Sequence, residues 1–190
     1  MVRPLKRMSD LIPRLSSAQM PSDLAEFLRP RVERLGYLGE FFQCAAHQPK
    51  ALLSFMTFTE DLRKALPEKL TETVALSVSC LMDNAYERVQ HERLCLKLGF
   101  DRAWIREVIA LAPSKAPHLS NEERLVQTLV IAAVNRKGHH CTPELEAVIE
   151  AIGHAHAIAV LMLIGRYMTH ALTVNCLALE PPVASPLEDQ

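Results

Sequence analysis

The chain has 190 residues, enough for one domain with a full hydrophobic core. Its composition, 49% apolar and 23% charged with only six glycines, excludes a disordered, collagen-like or low-complexity protein. Lys and Arg total 21 against 22 for Asp and Glu, so the net charge of −1 favours neither nucleic acid nor an anionic membrane as a partner.

Helical periodicity dominates the sequence. Apolar residues recur about every 3.6 positions and no segment keeps a strict two-residue alternation, so we predict an all-α protein. Prolines, glycines and capping residues mark where the helices begin and end. The predicted helices are 22–34 with a kink at Pro30, 37–47, 49–64, one from Pro67, one from Ala85, 102–111, 120–137, 142–153 and 155–179.

The most hydrophobic segment, 155–179, is interrupted by Arg166, His170 and other polar residues, which predicts a core or oligomer-interface helix rather than a membrane span. Residues 1–15 hold four Arg or Lys and two Pro without an apolar run, so no secretory signal is expected. The five cysteines include no C-x-x-C pair. Reduced thiols in the cytoplasm are therefore the prediction.

Eight histidines raise the question of a metal site. The densest cluster, His139-His140-Cys141, lies on a predicted turn, where adjacent side chains seldom converge on one ion. His154 and His156 point to different sides of a helix, and no H-E-x-x-H motif occurs. Phosphate-binding glycine loops and a G-x-S-x-G elbow are also absent, so we predict neither a metal nor a cofactor.

The segment 66–100 carries the residues suited to chemistry. Asp83-Asn84 interrupts a helix because Asx side chains compete with the backbone. The spacing Asn84-x-x-Glu87 is that of a capping box, in which the Glu87 carboxylate accepts the backbone N–H of Asn84. His91 follows Glu87 by four residues and shares its helix face. Such a pair raises the imidazole pKa and suits proton transfer, although it can also be purely structural.

These residues bring out a family resemblance. The order and spacing over about 35–179 resemble the carboxymuconolactone decarboxylase family, within the superfamily that contains the AhpD-type alkylhydroperoxidases. The shared pattern comprises Leu66-Pro67, Glu72, Tyr86-Glu87, His91 and Gly99-Phe100. The resemblance implies an AhpD-like helical subunit that forms a homotrimer or homohexamer, with a pocket near a subunit interface. We expect an N-terminal helical extension over 1–34, the family domain over 35–179 and a flexible tail over 180–190.

One departure from the peroxidase branch bears on function. That branch carries a glutamate, then C-x-x-C, then a histidine four residues later. Glu72 and His91 match the outer residues here, whereas Asn84 and Glu87 stand at the two cysteine positions. Neither side chain can form the thiolate that a dithiol peroxidase needs. The sequence therefore resembles the branch that includes the carboxymuconolactone decarboxylases.

The resemblance implies proton-transfer chemistry on a small cyclic or lactone carboxylic acid. We expect His91 to act as the general acid/base, Glu72 to orient or recharge it, and Tyr86 to donate a hydrogen bond in the pocket. The residues expected to contact the substrate are Asn84, Glu87 and Arg166, with Arg88 as another arginine able to bind its carboxylate.

Two alternatives stay open. The protein could be a non-catalytic oligomeric small-molecule binder in which Asn84 and Glu87 only cap a helix. Less favoured is an AhpD-like peroxidase that uses Cys80 or Cys95 outside the motif. Glu72 likewise has a purely structural alternative, facing water in an early helical turn where it interacts with the helix dipole.

Overall fold

Glycines, prolines and capping side chains end the helices close to the predicted residues. The structure, a computed structural model, describes residues 11–188, so the first ten residues of the predicted extension and the last two of the tail lie outside it. Within that range the chain forms α-helices and short 3-10 turns without a β-strand, which confirms the all-α class. The helices are α1 (Ser22–Leu35), α2 (Glu40–Ala45), α3 (Pro49–Ala65), α4 (Glu68–Leu81), α5 (Ala85–Lys97), α6 (Arg102–Ile109), α7 (Asn121–Asn135) and α8 (Thr142–Cys176).

The start of α2 differs from the prediction for a physical reason, and a second glycine divides α8. Helix α2 begins three residues later than predicted, because Gly39 precedes it in an extended conformation (φ −60°, ψ 142°). The predicted break between the two C-terminal helices is confirmed: α8 is divided by a non-helical Gly153, with φ 79° and ψ 165°. A glycine at this point allows the left-handed φ that the break requires.

Helix α4 is the centre of the core. Its residues from 70 to 79 are all buried, because α5, α6, α7 and α8 surround it. Val74, Leu129 and Leu163 meet in this cluster with no exposed surface. Full burial of each such side chain contributes about 1.5–3 kcal/mol, so the α4 environment supplies much of the driving force for folding.

Two smaller clusters flank the core. Helices α1 and α2 pack on the end of α8 through Leu24, Phe41 and Val174, in a cluster that also includes Tyr86 of α5. On another side of the core, Trp104 of α6 packs with Cys95 and neighbouring apolar residues. Helix α5 therefore lies between the central core and the N-terminal cluster.

The segment after α8 is held against the domain, although the sequence predicted a flexible tail. The buried Ser185 donates a hydrogen bond to Glu92 of α5 (2.5 Å). Arg102 of α6 donates to the Pro186 carbonyl (3.0 Å), and Leu187 packs against the α6 cluster. These contacts tie the described part of the tail to the helix that carries His91.

One face of α8 is apolar and exposed. Ile158, Met162 and Leu172 are 56%, 46% and 55% exposed. Their spacing places them along one stripe of the helix. By length and composition α8 could cross a membrane, but residues such as Leu163 and Tyr167 on its other side belong to the protein core.

Candidate active site

Asn84 caps α5 as predicted, but Glu87 does not complete the capping box. The Asn84 side chain accepts the Glu87 backbone N–H (3.1 Å), whereas the Asn84 backbone N–H donates to the Ser79 carbonyl (2.8 Å). The Glu87 carboxylate turns away from the helix start and into a buried cluster of charges. The predicted local role of Glu87 is therefore wrong, because buried cations outcompete the capping interaction.

His91 lies between two carboxylates. Its Nδ1 is 2.5 Å from Glu72 Oε2 on α4, and its Nε2 is 3.6 Å from Glu87 Oε1. Burial by itself lowers the pKa of His91, but the charge and hydrogen bond of Glu72, with a smaller contribution from Glu87, raise it to about 9. The imidazole is therefore protonated at neutral pH, and its Nε2–H is not held by a short hydrogen bond.

Glu87 is bound by cationic and neutral donors from α8. Arg166 Nη1 donates to Oε1 (2.8 Å), and His170 Nε2 lies 3.3 Å from Oε2. Burial alone raises the pKa of this carboxyl, yet positive charge at His170, Arg166 and His91 holds it well below its usual range. Burial lowers the pKa of His170 itself to about 4, so Arg166 and His91 supply the positive charge at neutral pH.

A cavity of about 480 Å³ opens beside this cluster. Tyr86, Glu87, His91, Arg166 and His170 all contribute to its wall. Its cationic lining residues are Arg31, Arg34, Arg63, Arg93, Lys97 and Arg166, whereas Glu87 is the one carboxylate among the described residues that line it. Because the whole chain carries a net charge of −1, this local excess of positive charge favours an anionic ligand.

Tyr86 contributes a neutral phenol to the cavity wall. Its hydroxyl accepts the backbone N–H of Phe41 (3.4 Å), and burial raises the pKa of Tyr86 to about 12. The hydroxyl also approaches Gly39 closely: a Cβ at that position would lie 2.7 Å from Tyr86 Oη. A glycine at 39 therefore makes room for the phenol, whose proton remains available to a ligand.

The remaining predicted residues fall in different places. Glu72 is 1% exposed, so it does not face water as its alternative interpretation expected. Asn84 is buried and is not among the residues that line the cavity; its amide contacts His170 Nδ1 and the Glu87 backbone N–H. Arg88 pairs with the buried Glu92 (2.7 Å) and does not line the cavity. Arg166 reaches the cavity but is already paired with Glu87.

Several site residues were not predicted. Arg63 lines the cavity with its Nη2 3.7 Å from Glu72 Oε1, and Arg31 lines it from α1. Thr59 accepts a hydrogen bond from Arg166 Nε (2.9 Å) and orients its guanidinium. In the sequence His170 is only an interruption of a hydrophobic segment. One signal could have identified His170 as a site residue: it is a polar residue one turn after Arg166 on the same apolar helix.

The cysteines nearest this cluster are poorly suited to redox chemistry. Burial raises the pKa of Cys80 to about 11, and burial together with the Glu72 carboxylate raises that of Cys95. A thiolate is the reactive form, so both side chains are inert thiols at neutral pH. Within residues 11–188, no three His, Cys, Asp or Glu side chains are placed to share a metal ion.

The helices form an AhpD-like fold, as the likeness to three solved structures shows. A peroxidase-related AhpD-core protein from Ralstonia eutropha JMP134 superposes with a TM-score of 0.78 and 16% identity, over 95% of this chain and 94% of that one. An Agrobacterium tumefaciens protein of unknown function, described as a candidate AhpD antioxidant defence protein, gives 0.67 and 16% over 74% and 96%. A debrominase in complex with 2,3,4-tribromopyrrole gives 0.79 and 14% over 93% of each chain.

The family itself is identified through the sequence. Residues 49–114 match the model of the carboxymuconolactone decarboxylase family, a region that includes Glu72, Asn84, Glu87 and His91. The resemblance inferred from the sequence is confirmed: the chain carries a carboxymuconolactone decarboxylase family region on an AhpD-like fold. Among proteins of curated function, none has a sequence that matches this chain.

Proposed function

We propose that the protein catalyses proton transfer, most simply a decarboxylation, on a small cyclic or lactone carboxylic acid. The observation that carries the proposal is the environment of His91. A buried carboxylate holds Nδ1 and keeps the imidazole protonated, and the His91 side chain forms part of the wall of a cation-lined cavity. A protonated imidazole at the edge of a pocket is the arrangement that general acid catalysis needs.

The reaction needs a proton donor but no redox group. Loss of CO₂ from an unsaturated lactone acid leaves the bonding electrons on the ring as an enolate. His91 Nε2–H then donates a proton to carbon, and the imidazole is recharged from solvent while Glu72 holds its Nδ1–H. Arg63, less committed than Arg166 because its Glu72 contact is 3.7 Å, is suited to bind the substrate carboxylate.

The size and charge of the cavity support this class of substrate. About 480 Å³ accommodates a small ring compound, and several arginines favour a carboxylate. The structural neighbour in complex with 2,3,4-tribromopyrrole adds that a protein of this fold takes a small cyclic molecule. The competing candidate, a non-catalytic binder, is favoured by the Arg166–Glu87 pair, which is complete without a ligand.

The test uses the purified protein with muconolactone-type acids and with the corresponding lactones that lack the carboxylate. We expect release of CO₂ and incorporation of solvent deuterium at carbon from the acids only. Activity should fall as the pH rises through about 9, where His91 loses its proton. His91→Gln should abolish turnover, whereas His118→Gln, which alters an exposed His–Glu pair, should not.

Other results would favour the alternatives. Saturable binding of the acids without turnover would support the non-catalytic binder. Turnover of peroxide with a dithiol reductant, lost on replacing Cys80 or Cys95, would support a peroxidase. Full activity in the His91→Gln variant would remove the proposed acid.

We also propose that the protein assembles as a homotrimer or homohexamer through α8. The support is the exposed stripe of Ile158, Met162 and Leu172 on a helix whose other side lies in the core. Exposed apolar stripes of this kind are typical of interaction surfaces. Light scattering of the wild-type protein and of the Met162→Glu variant tests the proposal. The proposal fails if both proteins are monomers.

The cytoplasmic location stays a prediction.

A further inference from the structure

The amide of Asn84 defines the hydrogen-bonding state of His170. A backbone N–H can only donate, so the atom of Asn84 that faces Glu87 N (3.1 Å) must be the carbonyl oxygen Oδ1. The amide nitrogen Nδ2 is thereby directed at His170 Nδ1, at 3.3 Å. An amide NH₂ is also only a donor. His170 Nδ1 must therefore be an unprotonated acceptor.

The other side of the ring completes the assignment. A neutral imidazole with a bare Nδ1 carries its hydrogen on Nε2. His170 Nε2, which carries that hydrogen, lies 3.3 Å from Glu87 Oε2, in electrostatic contact with the carboxylate. The ring is 3% exposed and packs on Phe41, with ring centroids 4.2 Å apart, which fixes its orientation.

We propose that His170 is a positioning residue, locked by Asn84 as the neutral Nε2–H tautomer, that holds the Glu87 carboxylate away from His91. Arg166 donates a hydrogen bond to Glu87 Oε1, His170 Nε2 lies 3.3 Å from Oε2, and His91 Nε2 is 3.6 Å from Oε1. Without the His170 donor, the carboxylate is free to close on His91 Nε2–H. The second part of the proposal, that this separation leaves the proton for a substrate, rests on the proposed function.

The surrounding charges agree with a neutral His170. Arg166 and His91 disfavour a second proton on the ring, whereas Glu87 favours it, and burial outweighs Glu87. A protonated ring would also direct Nδ1–H at the Asn84 NH₂ group, two donors facing each other. Asn84 therefore selects the tautomer of His170 in addition to capping α5.

The experiment is an Asn84→Asp substitution in the full chain labelled with ¹⁵N-histidine. Aspartate caps a helix as well as asparagine, so the start of α5 is preserved. Its carboxylate, however, places an acceptor opposite His170 Nδ1. In wild type we expect imidazole ¹⁵N shifts of a neutral Nε2–H ring from pH 5 to 9. In Asn84→Asp we expect a proton on Nδ1 and a pKa of His170 raised by about 1–3 pH units.

Two further variants keep the proposal falsifiable. Asn84→Ser also caps the helix but removes the amide donor, so both tautomers of His170 should become populated. Ser120→Asp adds the same charge at the N-cap of α7, and should leave the His170 shifts unchanged. A wild-type His170 that is protonated or Nδ1–H at pH 7, or unchanged shifts in both Asn84 variants, would overturn the proposal.

The link to catalysis is measured separately. Once an acid that the protein turns over has been identified, His170→Phe should lower kcat with little change in KM. It should also shift the alkaline limb of the pH profile of kcat. An unaltered kcat and pH profile would refute the positioning role. If no acid is turned over at all, the proposed function fails, while the tautomer of His170 is still decided by the spectra.

Discussion

The Glu72–His91 pair gives the sharpest quantitative prediction. Glu72→Gln keeps the size of the side chain but removes the negative charge beside His91 Nδ1. Burial lowers the pKa of His91, and Glu72 is the main group that raises it. In the variant we therefore expect His91 to titrate at or below its ordinary value of 6.5, instead of about 9.

The same shift has a consequence for stability. A rise from 6.5 to about 9 corresponds to about 3 kcal/mol, at about 1.4 kcal/mol per pH unit. Because the pKa is higher in the folded chain, this stabilisation is complete below pH 6.5 and is lost as the pH rises through 9. The wild-type advantage over Glu72→Gln should therefore be larger at pH 6 than at pH 10 by about 3 kcal/mol.

The assay combines urea unfolding at the two pH values with a ¹H–¹⁵N titration of His91. Glu107→Gln is the matched control, because Glu107 also lies 2.5 Å from a histidine Nδ1, in a pair where the His118 side chain is 53% exposed. Solvent screens that pair, so its pH-dependent effect should be much smaller. A His91 pKa that stays near 9 in Glu72→Gln would refute the reasoning.

Three further predictions concern the surroundings of the site. Arg166→Met leaves Glu87 buried without its closest cation and should lower the free energy of unfolding by about 3–5 kcal/mol, measured in denaturant; a loss below about 1 kcal/mol would contradict the buried ion pair. Gly39→Ala should displace the Tyr86 ring, since the added Cβ would lie 2.7 Å from its hydroxyl, and a crystal structure with the ring unmoved would contradict this. Cys80→Ala should retain any acid turnover, and wild-type Cys80 should react slowly with iodoacetamide at pH 7.5 because its pKa is raised to about 11.

Local sequence signals were sufficient for most of the fold. Gly36, Pro49 and the Ser120 capping box act on their own neighbours, so the helix ends they mark could be predicted without tertiary information. The start of α2 could not, because no local signal specifies the extended backbone of Gly39, a position where a Cβ would lie 2.7 Å from the distant Tyr86 hydroxyl. The packed tail depends in the same way on a partner far along the chain, Glu92.

The site was predictable only where a family pattern or an i, i+4 spacing existed. His91 and Glu72 lie on different helices, 19 residues apart, and the family resemblance brought them together before the structure did. The direction of the Glu87 carboxylate was not predicted, because the local spacing indicates a capping interaction. In the structure the carboxylate binds Arg166 instead, 79 residues away. His170 meets Asn84 across 86 residues, a contact that no periodicity in one sequence encodes.

The buried charged groups around Glu87 also limit which side chains position 87 can accept. Replacing Glu87 with a residue that lacks a carboxylate, such as cysteine, would leave Arg166 and His170 without the group they contact. Removing one member of a buried ion pair typically costs about 3–5 kcal/mol, a large part of the stability of a small domain. A change at position 87 is therefore expected to require coordinated replacements at Arg166 and His170 on α8.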